Sequence, residues 1–224
     1  TSRWNPKMAP YIYTKRKGVC IIDLIQTAQQ LKHVSSKLTL YSSQGKSFLF
    51  VGTLYRQKGI AELIEAYNIA KKKRGELPKL NIVGKGAEEQ AIREQINELG
   101  LENDIILCGA VYDENILKDY FLNAKLCISP KQAGLSVPKS LGYGCPFITR
   151  PNAITGGERN NVIDGYNGVY YNTAEELADI LVSSVGQNEK YEVMADNAKK
   201  YYNEHCSIQN MANGALNAIR YVLK

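Results

Sequence analysis

From residue 48 onward, short apolar runs alternate with stretches in which apolar side chains recur every three or four positions. That is the pattern of buried strands alternating with amphipathic helices. Phe48–Gly52, Leu80–Val83, Ile105–Cys108, Leu126–Ser129, Phe147–Thr149 and Gly168–Tyr171 read as strands. Ile60–Arg74, Glu88–Leu99, Asp113–Asn123, Val137–Tyr143 and Ala174–Val185 read as helices. In the first of these, Leu63, Ile64, Ala66, Tyr67 and Ala70 share a face, and Lys71–Arg74 place cations where the helix dipole favours them. Pro78 closes that unit, and Gly100 and Gly144 stop two later helices. The alternation predicts an α/β fold: a Rossmann-like three-layer αβα arrangement around a mostly parallel sheet. Ligands of such sheets bind beyond the carboxyl ends of the strands. The loops after Gly52, Val83, Cys108 and Ser129 are therefore where a site is expected.

Both ends of the chain read differently. Residues 1–18 carry two prolines, several aromatics and five basic residues, and suggest an irregular arm. Val19–Leu24 reads as a short buried strand. Residues 25–43 have helical spacing (Ile25, Ala28, Leu31, Val34, Leu38, Tyr41) up to Gly45. The expected organisation is a basic arm with a βα start over 1–47, then a Rossmann-like domain over 48–224. One continuous sheet is expected, with Val19–Leu24 beside Phe48–Gly52. The tail from Lys190 reads as helical, broken near Cys206–Ser207, with a stripe of Met211, Ala215, Leu216, Ile219 and Val222. If exposed, such a stripe promotes self-association.

Charge sharpens this division. The net charge is +6, yet residues 47–224 are nearly balanced, and residues 1–46 hold eight Lys/Arg against one acid, Asp23. Such asymmetry suits nucleic acid, through Arg3, Lys7, Lys15, Arg16 and Lys17, or it is simply a solvated arm. RNA is the less favoured partner. No apolar run reaches the ~20 residues that span a bilayer. No apolar leader follows the first residues, and a start without Met suggests a fragment, or a processed or engineered product. Cys20, Cys108, Cys127, Cys145 and Cys206 show no metal-site spacing and have mostly apolar neighbours. Free buried thiols in a reducing, cytoplasmic setting are expected.

Four loops carry candidate chemistry. In Val51-Gly52-Thr53-Leu54-Tyr55-Arg56-Gln57-Lys58-Gly59, Gly52 lets backbone approach a ligand, and Arg56 and Lys58 supply charge for a phosphate. The alternative is a surface turn with two solvated cations. The turn at Gly84 and Gly86 is either a ligand cradle or tight strand-to-helix packing. The segment around Val111 follows a strand end, where backbone groups could read a base edge. Finally, Gly134-Leu135-Ser136 opens a short helix whose free N–H groups suit a diphosphate.

In this order the loops resemble the C-terminal, donor-binding domain of retaining GT-B glycosyltransferases of the sucrose-synthase and mannosyltransferase type. The Glu158–Gly168 stretch resembles a further segment of that family. The resemblance covers residues 48–224. It implies a nucleotide-diphosphate sugar as donor, hexose transfer with retention, and no bound metal or other cofactor. Lys58 then neutralises the diphosphate beside Gly52, while Gly134 and Leu135 offer backbone N–H groups. Departures point to weak or no catalysis by this half alone. Thr53 stands where the family has arginine. Lys131 and Lys139 stand where it has two glutamates, the second of which grips ribose. Some members carry a basic residue at that second position, so Lys139 is a subfamily trait or a loss. The resemblance also implies a separate acceptor-binding domain, for which 47 residues are too few. Those residues resemble a ribosomal small-subunit protein, S-two of bacteria and plastids, in Thr1–Ile12, Lys17–Leu24 and Gly45–Thr53. A chimera is therefore expected, joined near Phe48–Thr53 and more plausibly engineered than natural. The other readings are an active hexosyltransferase with a partner domain, and an RNA-binding module.

Overall fold

A computed structural model describes residues 10, 12–17, 19–29 and 46–223, which fall into two compact units, Thr1–Gln44 and Gly45–Lys224. In the first unit, β1 (Ile12–Arg16) pairs antiparallel with β2 (Val19–Ile22) in a two-stranded sheet. The register sets Arg16 opposite Val19 and Lys15 opposite Cys20. Only two residues remain for the turn, and Lys17 adopts the left-handed φ of 49° that such turns favour.

This corrects two expectations. Residues 12–16 are a strand rather than irregular arm. Val19–Ile22 pairs with its sequence neighbour, and among the described residues it has no pairing with Phe48–Gly52. The physical reason is locality: a two-residue turn closes β1 onto β2 at far less entropic cost than a crossover. Nor is β2 a buried strand, since Ile21 and Ile22 are exposed. Residues 24–29 are helical (α1), with Asp23 Oδ1 accepting from the amides of Ile25 and Gln26 at 2.9 and 3.1 Å. The rest of the helix expected over 25–43 lies outside the described residues.

The second unit carries the predicted alternation. Its elements are β3 (Ser47–Val51), α2 (Ile60–Arg74), β4 (Leu80–Val83), α3 (Glu89–Glu98), β5 (Ile105–Gly109), α4 (Glu114–Leu122), β6 (Ala124–Ile128), α5 (Ser136–Gly142), β7 (Phe147–Thr149), β8 (Gly168–Tyr170), α6 (Ala174–Gly186) and α7 (Asn188–Tyr201). A π turn, Tyr202–Cys206, then leads to α8 (Ile208–Val222). Six parallel strands take the order β5-β4-β3-β6-β7-β8. The second unit thus starts mid-sheet, builds one half, and crosses over to build the other. The switch point falls between β3 and β6, where a ligand crevice is expected.

Burial follows from the pleat. Phe48, Leu49 and Phe50 are fully buried, because β3 is covered on both faces. Phe48 and Phe50 join Leu63, Ile64 and Tyr67 of α2 and Leu177 and Leu181 of α6 in one core. The Phe48 and Tyr67 rings meet edge-on at 6.3 Å, and Tyr67 donates to the Pro78 carbonyl at 2.9 Å. Each such side chain contributes about 2 kcal/mol by burial. Across the sheet, Phe121 of α4 stacks on Tyr143 just beyond α5 at 5.6 Å. The helical tail breaks at Ser207, as its sequence indicates, and Ser207 caps α8. Ile208, Met211, Ile219 and Val222 of α8 are all more than half exposed. Among the described residues, no helix is long and apolar enough to cross a membrane.

Candidate functional site

Parallel strands deliver their following loops to one edge, and β3 and β6 deliver theirs side by side. After β3 the chain runs extended to Tyr55, makes a short helical turn over Arg56–Lys58, and enters α2 through Gly59. That turn folds the Lys58 side chain back: its Cε and Nζ come within 3.6 Å of where a Gly52 side chain would begin. Lys58 is half-buried, and burial lowers its pKa from the usual 10.5. Its ammonium has no hydrogen bond or ion pair among the described residues. A charged amine held partly out of water with no counter-ion among the described residues carries an uncompensated desolvation cost, which makes it a candidate anion site.

The Gly84–Gly86 turn meets the first loop rather than open space. A side chain on Gly84 would start 1.8 Å from the Gly52 carbonyl oxygen, and one on Gly86 2.4 Å from that of Leu54. The Leu54 amide bonds to the Lys85 carbonyl at 3.0 Å, and the Glu88 amide to the Leu54 carbonyl at 2.9 Å. On these sides the two glycines accommodate backbone. Through that packing they fix where Gly52 stands.

The β6 loop is tied to the β3 loop by the Lys131 amide, which donates to the Lys58 carbonyl at 3.3 Å. Ser129 Oγ donates to the Gln132 carbonyl at 2.6 Å, turning the chain toward α5. The Val137 amide returns to the Gly134 carbonyl, while those of Leu135 and Ser136 have no acceptor among the described residues. Leu135 is 78% exposed and lies with Pro138, Lys139 and Tyr143 on an open cavity of about 530 Å³. Val111 sits half-buried in the loop beyond β5, next to Tyr112, which is 88% exposed.

Two of the unusual lysines are engaged. Lys139 Nζ lies 2.8 Å from both carboxylate oxygens of Glu114 at the start of α4. Lys131 Nζ lies 3.7 Å from Glu62, which also accepts from Arg150 Nε at 2.9 Å and from the Tyr171 hydroxyl at 3.1 Å. Arg150 lies over the Tyr171 ring, 5.5 Å from its centre. The Glu62 hydrogen bond holds the Arg150 proton more firmly than usual, and burial, then Glu62, raises the Tyr171 pKa. This cluster binds α2 to the carboxyl ends of β6, β7 and β8. Glu158 is held by its own amide, Thr155 and the Gly156 amide, which together lower its pKa.

The structure therefore brings Gly52, Lys58, Gly84 and Gly86 together, and sets Gly134 and Leu135 at the start of α5 with Lys139 further along it. Arg56 lines a smaller cavity, about 190 Å³, with Glu62, Glu88, Gln95 and Lys131. Sequence reasoning missed Glu62, Glu114 and Tyr171 and gave Arg150 no role. An acid in the first turn of a helix is ordinary, so Glu62 and Glu114 carried no signal of their own. Lys139 at an acidic position was the one hint of a partner.

An open parallel sheet of this order, covered by helices, defines a Rossmann-like class of α/β domain. The family can be stated: the chain belongs to the glycosyl transferases group 1, whose model matches residues 36–201. HepE from Anabaena, solved with UDP and glucose, shares the fold at TM-score 0.69 and 19% identity, over 86% of this chain and 52% of that one. The C-terminal domain of LpcC, a glycosyl transferase group 1 family protein from Francisella tularensis, does so at 0.64 and 19%, over 73% and 88%. A TarM mutant from S. aureus, solved with UDP, Fondaparinux and alpha-GlcNAc-glycerol, does so at 0.67 and 21%, over 77% and 35%.

A second likeness is to a ribosomal protein. Small ribosomal subunit protein uS2 of Nostoc punctiforme is 57% identical over 60 residues, 27% of this chain and 23% of its own. That of Oltmannsiellopsis viridis is 59% identical over 58 residues, 26% and 24% respectively. The chain spans about a quarter of the length of these relatives. Both resemblances are thus present in one chain, the glycosyltransferase one over residues 36–201 and the ribosomal one over about 60 residues.

Proposed function

We propose that the second unit binds a nucleoside-diphosphate hexose at the β3–β6 edge and forms the donor half of a retaining hexosyl transfer. The observation that carries this is Lys58, a half-buried ammonium folded over Gly52 with no partner among the described residues. The diphosphate meets Lys58 on one side and the Leu135 and Ser136 amides on the other, a fixed set of donors for a leaving group that gains charge. HepE and TarM, solved with UDP, support this ligand class for the fold.

Catalysis by this half alone is weak or nil. Leu135 and Tyr112 stand exposed at the edge, so transfer without hydrolysis needs a second surface to exclude water and hold the acceptor. We read the chain as a chimera of two α/β proteins that works in a soluble, reducing setting, a reading the ribosomal likeness supports. Amide chemical-shift titration with UDP, GDP and ADP tests the site. Shifts clustered at Gly52–Gly59 and Gly134–Ser140 with one nucleotide are expected. No shift at millimolar nucleotide overturns the reading.

A second reading rests on the hairpin, whose Lys15, Arg16 and Lys17 are exposed beside the ribosomal likeness. RNA affinity that falls steeply with salt and vanishes when those three become Ser supports it.

A further inference from the structure

We infer that Glu114, held by Lys139, supplies the carboxylate that receives the ribose diol of a nucleoside diphosphate; this rests on the donor-site reading above. Lys139 is no free cation. Its Nζ stands 2.8 Å from both Glu114 oxygens, an end-on grip that leaves the outer lone pair of each oxygen available. Glu114 is 69% exposed and Lys139 32%, so the pair shows mainly its carboxylate to solvent.

The chemistry matches. Two adjacent ribose hydroxyls are paired donors, and an ionised carboxylate offers two acceptors and no donor. The placement matches as well. α4 starts directly after the loop that leaves β5, and α5 starts at the amides of Leu135 and Ser136. The pair joins the first residue of α4 to Lys139 within α5, and so links the helix that follows a loop suited to a base with the helix that follows amides suited to a phosphate. The ribose of a nucleotide stretched between them falls there. The neighbouring acid cannot serve as well. Asp113 Oδ1 already accepts from the amides of Asn115 and Ile116 at 2.8 and 3.4 Å, which fixes it as the helix cap. Lys139 is then a positioning residue that fixes the Glu114 rotamer.

The test is isothermal titration of the full chain with UDP, GDP and ADP and their 2′-deoxy counterparts. The nucleotide that binds is expected to lose about tenfold in affinity on losing its 2′-hydroxyl, the effect of one hydrogen bond to a charged group. In Glu114→Gln the ribo and deoxy forms are expected to bind alike, with the Gly52 and Leu135 amides still shifting. Lys139→Gln narrows the ratio, and Lys139→Arg restores it. Full discrimination retained in Glu114→Gln, or none in the unmodified chain, overturns this assignment and leaves the donor site standing. Absence of binding by all three diphosphates overturns both.

Discussion

The loop after β3 and the turn after β4 look alike as sequence, each a glycine-bearing link from strand to helix. In the fold they do different work. The Gly84–Gly86 turn is filled by the backbone of Gly52 and Leu54, whereas the Gly52–Lys58 loop keeps an ammonium with no partner among the described residues. A glycine in such a turn therefore marks close approach without saying what approaches. An unsatisfied charge says more, because it has no structural use until something binds.

The largest expected effect breaks the packing side of this contrast. Gly84→Ala drives a methyl into the Gly52 carbonyl, and the loop must move. A loss of about 3 kcal/mol is expected, at the upper end for overpacking, and urea unfolding measures it. Unchanged stability would mean the turn is open and the contrast false.

Next is Glu62→Ala. It strips Arg150 and Tyr171 of a shared acceptor whose side chain is only 12% exposed. Arg150 keeps partial access to water, so the expected loss is about 2 kcal/mol, below that for breaking a fully buried pair. Thermal unfolding reads it, and Glu62→Gln, which keeps one acceptor, should fall between.

How far these regions were legible depends on what kind of information each needs. The six strands and their helices follow from local patterning, and β3 and α2 stand almost where their apolar spacing puts them. The switch point follows from strand order, which periodicity alone does not encode. What the sequence could not show is partnership across long separations. Glu62 finds Arg150 and Tyr171, and Glu114 finds Lys139, only because parallel strands collect distant loops at one edge. The hairpin is the opposite failure. Val19–Leu24 has the apolar run of a buried strand, but its pairing was settled by a two-residue turn. Pattern length was weighed there, and turn closure was not.

The smallest and most specific effect concerns Lys58 itself. Lys58→Met is expected to leave the fold intact and weaken nucleoside-diphosphate binding about tenfold, the loss of a charge-assisted contact. The same residue sets a pH dependence whose sign is fixed by desolvation. Its folded pKa lies below 10.5, so between the two values the unfolded chain binds more protons. Stability contributed by this group therefore rises as pH climbs through the folded pKa, and levels off above 10.5. Diphosphate affinity runs the other way, because the anion needs the ammonium and loses it before an ordinary lysine would deprotonate. Titrations from neutral pH upward should show binding decline below 10.5 in the unmodified chain and stay flatter in Lys58→Met. If both decline together, the anion is held by the α5 amides alone, and the two glycine loops differ less than their geometry indicates.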